Sequence, residues 1–482
     1  MRGIISTAGY LPHWRLQRPA IAAVLGGSAG KGTRTVASYD EDATTMAVEA
    51  SRRALRAAVD HEVSAVWFAT TSPTYMEKTN ATVLHAALRL PATVMAADAA
   101  GALRGTNAAL RAALRSTEPG VLVAAGDVRT GPAGSTDERD GGDAGAAVLV
   151  GDGDAASLVA EFLGAGSATR EFLDRWRVPG EVRTRAWEER FGQQRYDELA
   201  GRAFDSALED AGIDADGVAR VAISAPHARA GAALAKRLGA AGVEVADALG
   251  ATVGFSGAAH PLLLLARLLE DAAEGQVVAL VALADGADVF LFRRTGAPAA
   301  ATTVADQLDG GDDSLAYAKY LSWRGILPVQ PPNRPEPARM SASAAERRLD
   351  WKYGFVGSAD RESGALHLPP ARVSFVGGNA DDMDPAPMAD VPATVATFTV
   401  DSLAYSPSPP VVFAVCDFEG GGRLPMELTD TTAAEVSIGM PVEMTFRRLN
   451  SADGIANYFW KARPVRSGPA AGAATTTAEG GQ

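Results

Sequence analysis

The first place to look for chemistry is "VMAADAAGALRGTNAALRAAL", residues 94–114. An apolar strand runs through Asp98 and a turn at Gly101 into an alanine-rich helix. A helix N-terminus stabilises a developing anion, so this turn is a good seat for a nucleophile. It holds none: Leu103 stands where the helix begins, and the turn offers no Cys, Ser or His. Thr106 is a nearby hydroxyl, but it lies inside the helix. Two histidines have the chemistry of a general base. His227 follows the strand end "AISAP", and His260 opens the leucine-rich helix "HPLLLLARLL". Capping and packing are their structural alternatives. Tyr10 and Tyr75 carry phenol donors, with aromatic packing as the competing use. "EFLDRWRVPGEVRTRAW" (171–187) gathers Arg175, Trp176, Arg177, Arg183 and Arg185. Arginine beside tryptophan suits a nucleotide's phosphates and adenine; a solvated charged loop is the bland alternative.

The elements around these residues repeat. A helix over 43–58, a strand over 64–71, a helix in "NATVLHAALRL", the helix after Leu103 and strands over 121–127 and 144–152 form one series. A helix in "YDELAGRAFDSALEDAG", a strand over 218–226, a helix in "GAALAKRLG", the helix after His260 and strands "VVALVALAD" and "GADVFLF" form the other. The strands are short apolar runs, as in sheets buried on both faces. The helices carry i, i+3, i+4 stripes such as Leu262, Leu265 and Leu269. A duplication of this kind relates the halves by a pseudo-two-fold axis. It brings the strand ends at Thr71 and Ser224 and the helix starts near Leu103 and Phe255–Ser256 together, where ligands of open α/β sheets bind.

Composition sets the outer limits. The 482 residues allow two to four domains, and 47% hydrophobic content is that of a globular chain. No apolar run reaches the roughly 18 residues of a membrane span, and "MRGIISTAGYLP" is too weak for a signal peptide. A single cysteine, Cys416, excludes a disulfide framework and fits a cytoplasmic chain. A net charge of −13 argues against nucleic acid. After Arg294 the texture changes. A linker-like stretch leads to the aromatic helix "SLAYAKYLSWRGIL", then to a proline-rich segment and to "RRLDWKYGFVGSADRESGALHLPPARVSFVGG", which reads as two hairpins. From about 392 to 465, alternating strands suggest a small barrel, an OB-fold first.

With these stretches on the page, the first 295 residues resemble the thiolase superfamily, in particular 3-hydroxy-3-methylglutaryl-CoA synthases and ketoacyl synthase III enzymes. "SYDEDATTMAVEASRRAL", "TTSPTYMEKTNATVLHAAL", "GGDAGAAVLVGD" and "GAAHPLLLLARLL" carry the likeness. "YLSWRGIL", "DWKYGFVGS", "HLPPARVSFVGG" and "NYFWKARPV" resemble the zinc-ribbon/OB-fold proteins that accompany thiolases. The resemblance implies a duplicated five-layered αβαβα thiolase fold, followed by a degenerate zinc ribbon and an all-β OB-fold barrel. It implies halves at 1–165 and 166–295, a linker at 296–313, a helical hook and ribbon at 314–380, the OB-fold at 381–466 and a disordered tail at 467–482.

The same resemblance sets the family's catalytic positions on Leu103 (the acyl-carrying Cys), Thr71 (Glu), Ser224 (His) and Phe255 (Asn), none of the expected type. The two CxxC pairs of the ribbon fall on Asp360 and Ser363 and on Ser374 and Gly377, so no zinc is expected. His227 and His260 are then the candidate bases, and Arg175, Trp176 and Arg177 the candidate CoA contacts. The implied ligand is an acyl-CoA thioester, bound as substrate or ligand and not permanently. The leading reading is chemistry on C–C bonds of CoA thioesters without an acyl-cysteine, of aldol or retro-aldol type. The alternatives are a condensing acyltransferase with an unrecognised nucleophile and a non-catalytic acyl-CoA-binding scaffold for an active thiolase. A homodimer or a thiolase-like partner is expected, with no nucleic acid and no membrane.

Overall fold

The computed structural model describes residues 1–28, 30–299 and 302–466; the tail at 467–482, expected to be disordered, lies outside the described residues. The N-terminal half runs β1 (Arg2–Tyr10), β2 (Trp14–Gln17), α1 (Arg18–Leu25), β3 (Thr33–Val36), α2 (Ala43–Arg56), β4 (Ala65–Thr70), α3 (Ala81–Ala87), β5 (Met95–Ala100), α4 (Gly105–Arg115), β6 (Gly120–Asp127), α5 (Thr136–Asp140) and β7 (Ala144–Asp152). The C-terminal half runs β8 (Ala160–Thr169), β9 (Arg175–Trp176), β10 (Arg185–Ala186), α6 (Glu189–Ala211), β11 (Val218–Ser224), α7 (Ala228–Ala240), β12 (Glu244–Val245), α8 (His260–Asp271), β13 (Val277–Leu283) and β14 (Gly286–Arg294).

Strand order proves the duplication. One half reads β5-β4-β6-β7-β1 and the other β12-β11-β13-β14-β8. In each, the first two pairings are parallel and the last two antiparallel. The halves join where Gly3 and Ile4 of β1 pair Glu161 and Ala160 of β8.

The alternation of side chains then builds five layers. In β6, Leu122 and Ala124 point to α2, with Met46 and Ala47. Val121, Val123 and Ala125 point the other way, into a middle layer with Leu110 of α4 and the leucines of α8. In β13, Val278 and Leu280 join that middle layer, while Ala279 and Val281 face Tyr196, Leu199 and Ala203 of α6. A middle-layer helix has sheet on both sides, which is why Leu262, Leu263, Leu264, Leu265, Leu268 and Leu269 of α8 are all buried. On the outside, α2 starts at Asp42, whose carboxylate accepts from the Thr45 amide at 2.9 Å while the Thr45 hydroxyl accepts from the Asp42 amide at 2.9 Å.

The remainder folds back onto α2. The stretch read as a linker carries α9 (Val304–Asp309), opened by a Thr303–Asp306 capping box. Next comes α10 (Tyr317–Trp323), the expected aromatic helix, which packs on Trp14, Leu16, Ile21 and Val36. α11 (Ala342–Arg347) and α12 (Leu349–Lys352) follow. The expected first hairpin is therefore corrected: "RRLDWK" is mostly helical, and it sets Trp351 against Phe355 and Phe459. β15 (Val356–Asp360), β16 (Leu366–His367) and β17 (Met383–Pro387) form the small ribbon sheet. β18 (Ala393–Asp401), β19 (Val411–Phe418), β20 (Arg423–Glu427), β21 (Pro441–Ala452) and β22 (Ile455–Pro464) form a five-stranded sheet in the order β20-β19-β18-β21-β22. A bridge between Leu428 and Ala462 brings its ends together.

The barrel shares one core with the outer face of the N-terminal sheet. At its seam Arg447, with no exposed surface, pairs with Asp40 at 3.2 Å, Glu41 at 3.0 Å and Asp430 at 2.5 Å. Lys461 pairs with Asp40 at 3.0 Å and Glu427 at 2.6 Å. Charges this deep persist only when paired. The close carboxylates leave their mark: burial pushes the Glu41 carboxyl up to about 7, against the pull of Arg447.

Candidate functional site

The two halves meet around one carboxylate. Asp127 ends β6, is fully buried, and accepts from five donors. They are the Thr70 hydroxyl at 3.0 Å, the Thr71 amide at 2.8 Å, the Thr71 hydroxyl at 2.6 Å, the Ser72 hydroxyl at 2.9 Å and the Ala258 amide at 2.8 Å. The first four come from the end of β4 and the loop after it. The fifth comes from the 3₁₀ turn Gly257–Ala259 that leads into α8. Thr106 on α4 donates its hydroxyl to the Ala258 carbonyl at 2.6 Å. The strand end, the α4 head and the turn before α8 are thus pinned to one point, as the duplication requires.

Arginines face this knot. Arg129 is buried, donates to the Thr71 hydroxyl at 3.0 Å and lies over the Phe255 ring at 5.9 Å. Burial lowers its pKa, and neighbouring Arg175 and Arg177 add to the lowering while Asp127 opposes it. Arg177 donates to the Thr71 carbonyl at 2.8 Å. Arg175 pairs with Asp137. The stretch chosen for Arg and Trp is therefore not a solvated loop throughout. Its β9–β10 ladder pairs Trp176 with Arg185 and delivers Arg177 to the cluster.

Other sequence candidates lie differently. Leu103 is half-buried just before α4. Arg104 beside it grips Asp288 of β14 through two bonds of 2.8 and 3.0 Å. Ser224 is buried at the end of β11, outside the Asp127 bonds. His227 caps α7: Nδ1 accepts from the Ala230 amide at 3.1 Å, and Nε2 meets the Glu189 carbonyl at 3.0 Å. Both ring nitrogens are occupied, so the geometry gives it a structural task. His260 is 3% exposed, 3.2 Å from the Ser256 hydroxyl, and its ring lies 4.9 Å from that of Phe255. Burial lowers its pKa to about 3 and keeps it neutral. Tyr10 and Tyr75 follow the packing alternative, against the barrel and away from the junction. Tyr10 donates to Glu41 at 2.5 Å in the barrel seam, and Tyr75 accepts from the Ala456 amide at 2.9 Å. Cys416 is buried in the barrel, and burial pushes its thiol up to about 12. The residues that sequence reasoning missed are Asp127 and Arg129. The signal was present in "VLVAAGDVR": an apolar strand of the kind buried on both faces that ends in a carboxylate at the predicted junction.

The ribbon repeats the theme without a thiol. Asp360, at the first knuckle position, accepts from the Ser363 hydroxyl at 2.5 Å and from Asn379 Nδ2 at 2.8 Å. These bonds hold its carboxyl well below the usual carboxylate range. Asp360, Ser363, Ser374 and Gly377 are not a zinc donor set, since structural zinc takes thiolates and imidazoles.

Comparison with known proteins bears on the whole chain. The family profile for the ChsH2 C-terminal OB-fold domain matches residues 387–447. The hydroxymethylglutaryl-CoA synthase of Pyrobaculum arsenaticum is 28% identical over 357 residues, covering 67% of this chain and 98% of that protein. The hydroxymethylglutaryl-CoA synthase of Pyrococcus furiosus is 30% identical over 244 residues, covering 49% of this chain and 69% of that protein. Among solved structures, MvaS in complex with 3-hydroxy-3-methylglutaryl coenzyme A superposes with a TM-score of 0.55 at 19% identity, over 68% of this chain and 92% of that one. The duplicated sheet and these relatives agree: this chain belongs to the hydroxymethylglutaryl-CoA synthase family, on a thiolase-like fold fused to a C-terminal OB-fold domain.

Proposed function

We propose that the chain binds an acyl-CoA thioester at the Asp127 junction and acts on its C–C bonds without an acyl-cysteine, in an aldol or retro-aldol sense. One observation carries this reading. The head of α4 has no nucleophile, while Arg129 and Arg177 converge on Thr71. Leu103 cannot be acylated, Thr106 is engaged with Ala258, and Cys416 is a buried thiol in the barrel. Cleaving a 3-hydroxyacyl thioester passes the hydroxyl proton to solvent, turns the oxygen's electron pair into the carbonyl of a released aldehyde or ketone, and breaks the Cα–Cβ bond. The pair of that bond forms an enolate that takes up a proton to give the shortened thioester. Fixed guanidinium groups stabilise such an oxygen in a water-poor site. Trp176 and Arg177 are the proposed CoA contacts.

A second reading, a non-catalytic acyl-CoA-binding subunit, has its own observation. His227 is occupied at both nitrogens, and burial lowers the His260 pKa to about 3, which makes it a weak proton acceptor. In either reading a second thiolase-like chain, identical or not, is the proposed partner. β5 supports this, since it is an edge strand with Met95 46% exposed.

The test is incubation of the pure protein with radiolabelled acetyl-CoA and, separately, with a 3-hydroxyacyl-CoA. Binding without covalent label, together with cleavage of the hydroxyacyl thioester, is the expected result. Stable labelling of any residue overturns the proposal. Binding with no turnover selects the non-catalytic reading.

A further inference from the structure

A cavity of about 690 Å³ lies at the barrel seam, between the loop after β1, the outward face of α2, the end of α9 and the end of β22. Six arginines line it: Arg15, Arg52, Arg53, Arg56, Arg463 and Arg466. Three of them are matched by carboxylates. Arg52 pairs with Glu49 at 2.7 Å and Asp390 at 2.8 Å, Arg56 pairs with Asp390, and Arg463 pairs with Glu443 at 2.8 Å.

The other three have no carboxylate partner among the described residues. Arg15 is buried and donates only to carbonyls, those of His13 and Trp14 at 3.2 Å and Gln307 at 3.0 Å among them. Arg53 donates to the Gly9 carbonyl at 3.2 Å and lies over the Tyr10 ring at 5.0 Å. Arg466 meets the Asp430 carbonyl and the His13 ring. Among the wall's own acids, Glu49 is held by Arg52 and Arg463, Glu443 by Arg463, Asp430 by Arg447, and Asp306 by its capping box. Asp306 and Asp309, neither of them paired with a cation among the described residues, offset two of the three, which leaves one positive charge in surplus. A surplus of positive charge lining a half-open cavity favours the entry of a counter-charge. Burial lowers the pKa of Arg15 and of Arg53 to about 10.

The cavity is separate from the Asp127 junction. It opens on the outside of α2, and α2 lies on the Leu122–Ala124 face of β6, whereas α4 and α8 lie on the opposite face. Its volume falls in the range of small-molecule pockets, which exceeds what one phosphate fills.

We propose that this seam cavity is a second binding site, for a small molecule carrying a diphosphate, held by Arg15, Arg53 and Arg466. Arginine's planar fork matches phosphoryl oxygens in pairs. Because the wall comes from both α2 and the barrel, the ligand also fastens the barrel to the thiolase-like body. The diphosphate is that of a free small molecule; the nucleotide end of a CoA held in the junction is the competing assignment, and the experiment separates the two.

The whole chain is titrated with inorganic pyrophosphate at constant ionic strength, by calorimetry and by thermal unfolding. Saturable 1:1 binding with a raised unfolding temperature is expected. Arg53→Gln and Arg466→Gln should each weaken it tenfold or more, while Arg177→Gln should leave it unchanged. Arg466 is exposed, so Arg466→Gln tests the site even where a change at buried Arg15 or half-buried Arg53 harms folding. Absence of saturable binding overturns the proposal, as does binding that Arg53→Gln and Arg466→Gln do not weaken. Competition by CoA together with loss in Arg177→Gln would assign the diphosphate to the junction and overturn the separate site.

Discussion

The junction of the two halves and the knuckle of the ribbon are built alike and differ in depth. Neither holds a cysteine, and each is organised by one aspartate that collects donors from separate segments. Asp127 takes five donors with no exposed surface, and those donors tie both halves of the molecule. Asp360 takes Ser363 and Asn379 within a single small sheet. The lesson is that one carboxylate can fix the geometry of the place where several segments meet. How much of the protein depends on it is set by which segments its donors come from. Asp127 is a keystone of the fold, and Asp360 a local clasp.

Removing the two carboxylates gives the largest contrast. Asp127→Ala strands the buried Thr70 hydroxyl, Ala258 amide and Arg129 guanidinium and frees the half-buried hydroxyls of Thr71 and Ser72. Breaking one side of such a buried polar knot costs about 3–5 kcal/mol. Urea unfolding should show this as a lower midpoint of the main transition. Asp360→Ala should leave that midpoint in place and raise amide exchange only between residues 356 and 383. If both variants lower the main transition equally, the distinction between keystone and clasp is wrong.

Acid separates the same two regions. His260, beside the junction, has a folded pKa lowered by burial to about 3, below its free value of 6.5. The unfolded chain therefore takes up a proton first, and stability falls as pH drops from 6.5 toward 3. A single such group contributes about 1.4 kcal/mol per pH unit, or about 3 kcal/mol between pH 6.5 and pH 4. Asp360 is also held below its free value, but that value is 3.8. Its contribution is whole above pH 4 and is lost only below it. The ribbon's exchange protection should therefore survive to pH 4 while the main transition has already weakened. In His260→Gln the slope between pH 6.5 and 4 should flatten. An unchanged slope would mean that other groups control acid unfolding.

The five-layered frame was legible because its strands are unbroken apolar runs and its helices carry clear stripes. Even so, β1 and β8, the strands that join the halves, were not read. β1 mixes Gly3, Ser6, Thr7 and Gly9 with its apolar residues, and β8 carries Gly164 and Gly166, so neither shows a clean period. At Gly3 the reason is packing: a Cβ would run into the Ala160 carbonyl of the facing strand. α9 was hidden by the Ala, Thr and Gly around it, although T-V-A-D is a capping-box pattern. The place where the two halves meet followed from duplication alone. The residues that hold it together did not, because Asp127 takes its donors from far away in the chain, and spacing along a sequence does not show which distant hydroxyls a carboxylate will meet.

A pair of glycines gives the smallest and cleanest test of depth. Gly257, in the turn before α8, and Gly364, in the ribbon turn, both have left-handed backbone, with φ of +58° and +71°. At Gly364 an added Cβ meets nothing within 4 Å, so Gly364→Ala should cost only the backbone strain, about 1 kcal/mol. At Gly257 the added Cβ would overlap Asp127 Oδ2 and crowd Arg129. Gly257→Ala must therefore push the turn off the carboxylate as well as strain the backbone, for a total of about 2 kcal/mol. It should also break the Ala258-to-Asp127 bond, which an exchange measurement reads directly at the Ala258 amide. Equal costs at the two glycines would mean that the turn before α8 can move without loosening the junction, and that Asp127 does not hold the halves together in the way its five bonds indicate.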